Sequence, residues 1–265
     1  MDAATQTFVA AAHAAADVAG AAIRPFFRIG TSDGLDTALK EDRSPVTIAD
    51  RTAELAMRAV LGEHLPEHGI MGEEFGLQRP DARFRWVLDP IDGTRAFITG
   101  RPVFGTLIAL LDQGTPVLGL IDQPVTGERW IGVAGQPTRF RGPFGGQVGC
   151  RRCPCLADAE LSCTSPAMLD DAETARWRRL ESQVRRTSWG GDCYAYGLLA
   201  LGQIDIVAEA DMKIWDWAAL VPVIEGAGGS MTDWEGQKLS DNSNRRVLAV
   251  GNPALTAGAV AALSG

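Results

Sequence analysis

The segment that most constrains the fold of this chain is Trp86-Val-Leu-Asp-Pro-Ile-Asp-Gly-Thr94. Its apolar first half is typical of a short buried strand. Two carboxylates follow, at a turn that Pro90 stiffens and where Gly93 permits a backbone conformation other residues avoid. We therefore predict that Asp89 and Asp92 leave a buried strand together and face one site. The alternative is an ordinary turn with an aspartate cap, which explains one acid more readily than both.

Four further acids stand in comparable settings. Glu73 and Glu74 follow a glycine, Asp216 lies between two tryptophans before an apolar helix, and Asp50 falls in the first turn of a predicted helix. Taken singly, each fits a solvated turn, a helix cap or a carboxylate that complements a helix dipole. Taken together, they predict a site for Mg²⁺ or Mn²⁺, because these ions prefer oxygen ligands and the sequence lacks a His/Cys zinc spacing.

Such ions activate a water molecule and neutralise a bound phosphate, so that no Ser, Cys or His nucleophile is required. The formal net charge of −8 and the pI of about 5.0 argue against nucleic-acid or membrane partners. They allow a small phosphorylated metabolite, because bound cations attract phosphate.

The cysteine content and the N-terminus predict a cytoplasmic protein. Five cysteines, an odd number, argue against a disulfide framework. The N-terminal Ala-rich stretch has no basic leader and is too polar to cross a membrane. Cys150-Arg-Arg-Cys153-Pro-Cys155 lacks the second ligand pair of a zinc site, so its thiols are interpreted as structural or incidental.

Hydrophobic periodicity and turn residues predict the elements. We expect a helix that begins after Thr47, with Asp50 completing a capping box, and that buries Ile48, Leu55, Ala59 and Met57. The other predicted helices are 3–28, 172–181, 194–201, 215–226 and 254–263. The predicted strands are 84–89, 106–111, 117–122, 129–134, 138–141, 161–164, 183–188 and 204–208. Residues 30–46 are expected to form a loop or irregular hairpin, and residues 142–155 a loop.

This order of elements predicts an α/β fold, a layered αβαβα sandwich with its site in the seam between two subdomains. We expect one phosphatase unit over residues 1–265. It divides into an N-terminal α+β subdomain of about 1–145 and a C-terminal α/β subdomain of about 146–265.

The combined motifs resemble those of the inositol monophosphatase superfamily, and the likeness runs over nearly the whole chain. The motifs are Gly72-Glu73-Glu74, Trp86–Thr94, Trp215-Asp216 and Ala227-Gly228-Gly229. The resemblance implies the αβαβα sandwich and hydrolysis of a phosphate monoester by in-line attack of water. It further implies two or three Mg²⁺ ions, with Mn²⁺ as a substitute, and a homodimer.

The resemblance also implies roles for individual residues. It implies that the metals bind the carboxylates of Glu73, Asp89, Asp92 and Asp216 and the carbonyl of Ile91. Asp50 and Thr94 would orient or deprotonate the water with Glu74 in support, and the N–H groups of Gly93 and Thr94 would bind the phosphate.

Within the superfamily, segments 94–110, 191–197 and 208–216 are most similar to the histidinol-phosphate phosphatases. That substrate carries an ammonium and an imidazole, which Asp192 and Glu209 would bind. The alternatives are that Asp192 caps a helix beginning near Tyr194 and that Glu209 ends a strand in solvent. Arg186 is a weaker candidate for a substrate or interface contact.

Other assignments remain open at this stage. Relatives of the same superfamily that act on inositol phosphates, sugar phosphates or 3′-phosphonucleotides are the main alternative. A catalytically idle scaffold or an RNA-associated regulator on the same fold is a third hypothesis, against which the complete set of acids and the negative charge both argue.

Overall fold

The computed structural model describes residues 2–29, 37–39, 45–240 and 243–264. Within these ranges the helices are α1 (Ala3–Ile23), α2 (Ile48–His64), α3 (Thr94–Ile98), α4 (Asp171–Glu181), α5 (Asp192–Ala200), α6 (Ile214–Trp217), α7 (Leu220–Gly226) and α8 (Thr256–Ser264). The first strands are β1 (Thr37–Leu39), β2 (Pro45–Thr47), β3 (Gly69–Gly72), β4 (Gly76–Gln78), β5 (Phe84–Asp92), β6 (Gly105–Asp112) and β7 (Thr115–Gln123). The remaining strands are β8 (Glu128–Val133), β9 (Arg139–Arg141), β10 (Glu160–Cys163), β11 (Arg186–Trp189), β12 (Ile206–Glu209), β13 (Ser230–Thr232) and β14 (Val247–Val250).

Two larger sheets carry the architecture. The first has the order β4-β3-β5-β6-β7-β8-β9, with β3 and β5 parallel and every other pair antiparallel. Its run from β5 to β9 confirms the predicted antiparallel meander. The second has the order β11-β10-β12-β14-β13, with β10 parallel to β11 and β12 and the other pairs antiparallel. Strands β1 and β2 form a separate antiparallel pair, which fits the irregular hairpin that was one of the two predictions for residues 30–46. Residues 30–36 and 40–44 of that segment lie outside the described residues.

Helices fill three layers around these sheets. Helices α1 and α2 pack on one face of the seven-stranded sheet, while α5 and α7 lie between the two sheets. Helices α4 and α8 pack together on the outer face of the five-stranded sheet. Each interface has its own buried apolar cluster, so the predicted αβαβα sandwich is confirmed. Representative core residues are Ala15, Ala53 and Trp86 in the first cluster, Trp130, Leu220 and Val247 in the second, and Trp177, Leu248 and Leu263 in the third.

The buried face predicted for α2 is wrong, except for Met57. Ile48 and Leu55 are 43% and 55% exposed, and Ala59 is exposed as well. The inward face instead presents small residues, Ala49 and Ala53, which let the alanine-rich α1 approach closely, together with Asp50, Glu54, Met57 and Leu61. Apolar periodicity failed here because two acids on that face are held inward by hydrogen bonds.

The helix predicted over 215–226 is broken into α6 and α7. Pro222 has no N–H to donate to the Ala218 carbonyl and its ring crowds that carbonyl, which disfavours a continuous helix between α6 and α7. Similarly, α1 gives way after Ile23 to a 3₁₀ turn that contains Pro25. The other predicted helices and strands are present with ends that shift by a few residues.

The segment 142–155 contains neither helix nor strand and joins the last strand of the first sheet to the second sheet. The predicted division into subdomains near residue 145 falls within it and stays a prediction. Among the described residues, no helix has both the length and the apolar character needed to cross a membrane.

Candidate active site

The irregular end of β5 brings Asp89 and Asp92 to one place. The pairing of β5 with β6 is irregular between Asp89 and Asp92. The Ile91 N–H donates to Asp89 Oδ1 at 3.0 Å, and the Thr106 hydroxyl donates to the Pro90 carbonyl at 2.8 Å. These bonds hold the chain in a bend rather than a regular strand, so the two carboxylates point into the same space.

A third carboxylate comes from the distant part of the chain. Asp216 lies in the single turn of α6, where its Oδ2 accepts the Lys213 N–H at 2.7 Å. Asp89, Asp92 and Asp216 each offer one oxygen atom, and these oxygens all lie within 4.8 Å of one another. An oxygen-only set at this spacing fits a hard divalent cation.

The raised pKa values of Asp89, Asp92 and Asp216 also fit a site for a cation. Burial, together with the charges of Glu73, Asp92 and Asp216, raises the pKa of Asp89 well above its usual value. Burial and the neighbouring acids Asp192 and Asp216 likewise raise the pKa of Asp92. Burial raises the pKa of Asp216 to about 7, with Glu73 adding to the effect. Carboxylates crowded in this way need a positive partner to be charged at neutral pH.

The Gly-Glu-Glu motif forms the turn between β3 and β4. The Glu73 N–H donates to the Leu88 carbonyl at 3.2 Å, which ties the turn to β5. Glu73 is half-buried and lines the same cavity as Asp216. Glu74 is also half-buried, and its N–H donates to Glu54 Oε2 at 2.7 Å.

Asp50 joins this site from the first turn of α2. The predicted capping box is confirmed, since Asp50 Oδ2 accepts the Thr47 N–H at 2.8 Å and the Thr47 hydroxyl at 2.6 Å. Its other oxygen lies 3.4 Å from the Thr94 hydroxyl, which is also 3.1 Å from the Ile91 carbonyl. Burial raises the pKa of Asp50. The structure therefore places Asp50 and Thr94 side by side at the end of β5.

Asp192 lies directly against the Gly93 turn. Its φ of 45° is in the left-handed region, and its N–H donates to the Thr164 hydroxyl at 3.0 Å. The N-cap of α5 is Gly191, without a side-chain bond, so the alternative that Asp192 caps this helix is not supported. Among the described residues, its buried Oδ2 has no hydrogen-bond partner. Burial and the charge of Glu209 raise the pKa of Asp192 to about 7, although Arg101 and Arg95 act in the opposite direction.

Glu209 is 2% exposed, so the alternative of a solvated strand end is wrong. Its Oε1 accepts the Thr164 N–H at 2.6 Å and its Oε2 accepts the Tyr196 hydroxyl at 2.9 Å. Burial raises the pKa of Glu209. Thr164 thus links the two acids, since its hydroxyl holds Asp192 and its N–H holds Glu209.

These groups surround one cleft between the two sheets. Its outer part has a volume of about 680 Å³ and contains both acids and bases. An inner recess of about 160 Å³ opens next to it. The charged side chains of the outer part are Glu73, Arg95, Arg101, Asp192, Asp211, Lys213 and Asp216. Those of the recess are Asp92, Asp192, Glu209, Asp211 and Asp216, all of them acids.

Arg186 is not brought to this cleft. It lies at the start of β11, whose last residue Trp189 reaches the cleft, and it pairs with Glu160 at 2.6 Å beside a separate cavity. Sequence reasoning overlooked Arg95 and Arg101, which do line the cleft. Their position just after the Asp-Gly-Thr turn was the available signal, because residues next to a site motif often share its cavity.

Comparison with known proteins agrees with this architecture. Residues 4–265 match the model of the inositol monophosphatase family. The chain is 46% identical over 253 residues to the "Bifunctional phosphatase IMPL2, chloroplastic" of Arabidopsis thaliana, covering 95% of this chain and 71% of that protein. It is 38% identical over 221 residues to the histidinol-phosphatase of Mycobacterium tuberculosis, covering 79% and 81%.

A solved structure of an inositol monophosphatase from Zymomonas mobilis superposes with a TM-score of 0.89 at 49% identity and covers 100% of both chains. The fold, the motifs and these matches together show that the chain belongs to the inositol monophosphatase family and is a phosphatase of that family.

Proposed function

We propose that this phosphatase hydrolyses L-histidinol phosphate to L-histidinol and phosphate, with Mg²⁺ as its cofactor. The observation that carries the choice of substrate is the inner recess, which Asp192 and Glu209 both line and whose charged side chains are all acidic. Within the described part of the chain, the buried Oδ2 of Asp192 has no hydrogen-bond partner. An ammonium or a protonated imidazole would supply the missing donor and offset the repulsion between the acids. The resemblance to a histidinol-phosphatase supports the same choice.

The carboxylate cluster fits Mg²⁺ by its chemistry and spacing. Asp89, Asp92 and Asp216 would hold one ion, and Glu73 and the Ile91 carbonyl would complete a second position with Asp89. Glu73 would also help to hold a weaker third ion, and Mn²⁺ could take the place of Mg²⁺. When bound, the ions would lower the pKa of a coordinated water and neutralise charge on the phosphate.

The remaining groups would act on the water and on the phosphate. Asp50 would accept a proton through the Thr94 hydroxyl, which lies 3.4 Å from it, and so orient the attacking water. Gly93 and Thr94 lie at the N-terminus of α3, and their N–H groups would donate to phosphate oxygens. Glu74 would support this site from the β3–β4 turn.

Hydrolysis of an inositol phosphate is the second candidate. It is favoured by the similarity to the Zymomonas mobilis inositol monophosphatase. Glu209 could accept hydrogen bonds from neutral hydroxyls as well as from cations.

Parallel measurements of kcat/KM would test the proposal, using L-histidinol phosphate, inositol 1-phosphate, fructose 1,6-bisphosphate and adenosine 3′,5′-bisphosphate. The proposal expects histidinol phosphate to be clearly the best substrate, and it fails if another is better. Mg²⁺-dependent release of phosphate that disappears in Asp89→Asn would exclude an idle scaffold. The predicted homodimer is tested separately by size-exclusion chromatography with light scattering, which measures the molar mass of the protein in solution.

A further inference from the structure

A buried glutamate outside the predicted ligand set is bonded to the Gly-Glu-Glu turn. Glu54 lies one helical turn after Asp50 on α2 and is 0% exposed. Its Oε1 accepts the Arg58 Nε–H at 2.7 Å and the Phe75 N–H at 3.2 Å. Its Oε2 accepts the Glu74 N–H at 2.7 Å. Burial of a carboxylate is unfavourable without such donors. The Glu54 carboxylate therefore stays bonded to the N–H groups of the turn and holds the turn in place.

Gly72 provides an independent steric observation. A Cβ built on Gly72 would overlap the Glu54 carboxylate, with Oε2 only 2.7 Å away. The φ of Gly72 is outside the left-handed region, so its backbone would accept alanine. A glycine is needed at this position because the Glu54 carboxylate occupies the space of a Cβ, and not because of the backbone conformation of Gly72.

We infer that Glu54 is a positioning residue for metal binding. It fixes the N–H groups of Glu74 and Phe75 and thereby the turn that presents Glu73 to the cleft. Because the same rigid helix carries Asp50, α2 sets the position of the water-orienting acid and of the Glu73 turn together. The inference rests on the proposed function, since it takes Glu73 as a metal ligand.

The test compares Mg²⁺ binding in wild type, Glu54→Gln, Glu54→Ala, Gly72→Ala and the Glu54→Ala/Gly72→Ala double variant. Calorimetric titration and the Mg²⁺-induced rise in Tm are measured without substrate. Glu54→Gln cannot accept from all three donors, and we expect its Mg²⁺ affinity to fall about tenfold. Its kcat should recover at saturating Mg²⁺, because the ligands themselves remain.

Gly72→Ala should also weaken Mg²⁺ binding, because it displaces the carboxylate. In the Glu54→Ala background the same glycine change should add little, since the obstructing group is gone. Gly62→Ala is the matched control, because Gly62 lies on α2 and no atom in the described part of the chain comes within 4 Å of an added Cβ. It should leave Mg²⁺ binding unchanged. If Glu54→Gln does not fold, Gly72→Ala and its control still provide the test.

The inference is overturned if Mg²⁺ affinity is unchanged in Glu54→Gln and Gly72→Ala while Tm without metal falls, because Glu54 would then act on stability alone. Additive effects of Glu54→Ala and Gly72→Ala would also overturn it. A wild-type protein that binds no Mg²⁺ would overturn the proposed function and the inference with it. If the wild type binds Mg²⁺ and the Glu54 and Gly72 variants bind it equally well, the inference is overturned and the proposed function is not.

Discussion

Gly93 and Asp192 are packed so closely that a Cβ on Gly93 would lie 2.8 Å from the Asp192 Cγ. Both residues adopt positive φ, 86° for Gly93 and 45° for Asp192. The contact joins the Gly93 turn, directly after Asp92 at the end of β5, to the start of α5 in the other half of the chain. A side chain proposed to select the substrate therefore rests on the turn proposed to bind the phosphate.

Gly93→Ala should impair the enzyme more than its backbone strain explains. The added methyl group requires a left-handed alanine and also displaces Asp192 or the turn. We expect kcat/KM to fall by about 100-fold, in line with the effect of small misplacements in active sites. Gly114→Ala is the control, because Gly114 has a φ of 85° and an added Cβ would meet no described atom within 4 Å. Equal activity in the two variants would contradict the prediction.

Asp192→Asn should discriminate between substrates. Loss of the charge removes the partner of a cationic group, so kcat/KM for histidinol phosphate should fall by about tenfold or more. Inositol 1-phosphate, which carries no cation, is the internal control and should be affected much less. If both substrates lose the same factor, Asp192 acts structurally and the selectivity proposal is wrong.

Thr94→Ala should lower kcat and leave metal binding intact. The hydroxyl lies between Asp50 and the Ile91 carbonyl, where it would relay or orient the water. We expect a decrease in kcat of about 100-fold or more, as for the loss of a positioned proton-transfer group. The Mg²⁺-induced rise in Tm should be unchanged, and Thr94→Ser should keep most of the activity. A fully active Thr94→Ala would remove the hydroxyl from the mechanism.

The metal-free protein should lose stability as pH rises. Asp89, Asp92 and Asp216 have raised pKa values, about 7 for Asp216, so folding favours their protonated forms. This contribution is complete below the pKa of the unfolded carboxylates and is lost as pH rises through the folded values. We expect Tm without metal to fall between about pH 5 and pH 8, and Mg²⁺ to restore it.

Asp216→Asn separates the contribution of the buried acids from that of other titrating groups. One such group is the buried His68, whose pKa is lowered by burial, so its contribution to stability grows as pH rises. The variant should show a flatter dependence of Tm on pH and a smaller rise with Mg²⁺. Thermal unfolding by circular dichroism over the same pH range measures both. A wild-type Tm that rises through this range in parallel with the variant would disprove the account.

The site was more predictable than the packing around it. Asp89, Asp92 and Asp216 could be proposed from sequence because each follows a local signal, the end of an apolar strand or the start of an apolar helix. Arg95 and Arg101 were missed because their only signal was a position shortly after the Asp-Gly-Thr turn, which is weaker than the end of an apolar strand or the start of an apolar helix. The inward face of α2 was predicted wrongly because Glu54 is buried by donors from a turn far along the chain, which helical periodicity does not describe.

By itself, the sequence determined the family, most of the helices and strands but not β3, β4, β13 and β14, and the acids that gather at the end of β5, because these depend on local patterns and contiguous motifs. The tertiary structure alone decided that Asp192 presses on Gly93, that Thr164 links Asp192 to Glu209, and that Glu54 holds the Gly-Glu-Glu turn. Each of these relationships joins residues at least 20 positions apart. They arise from steric fit and from the need of buried polar groups for partners, which no local pattern encodes.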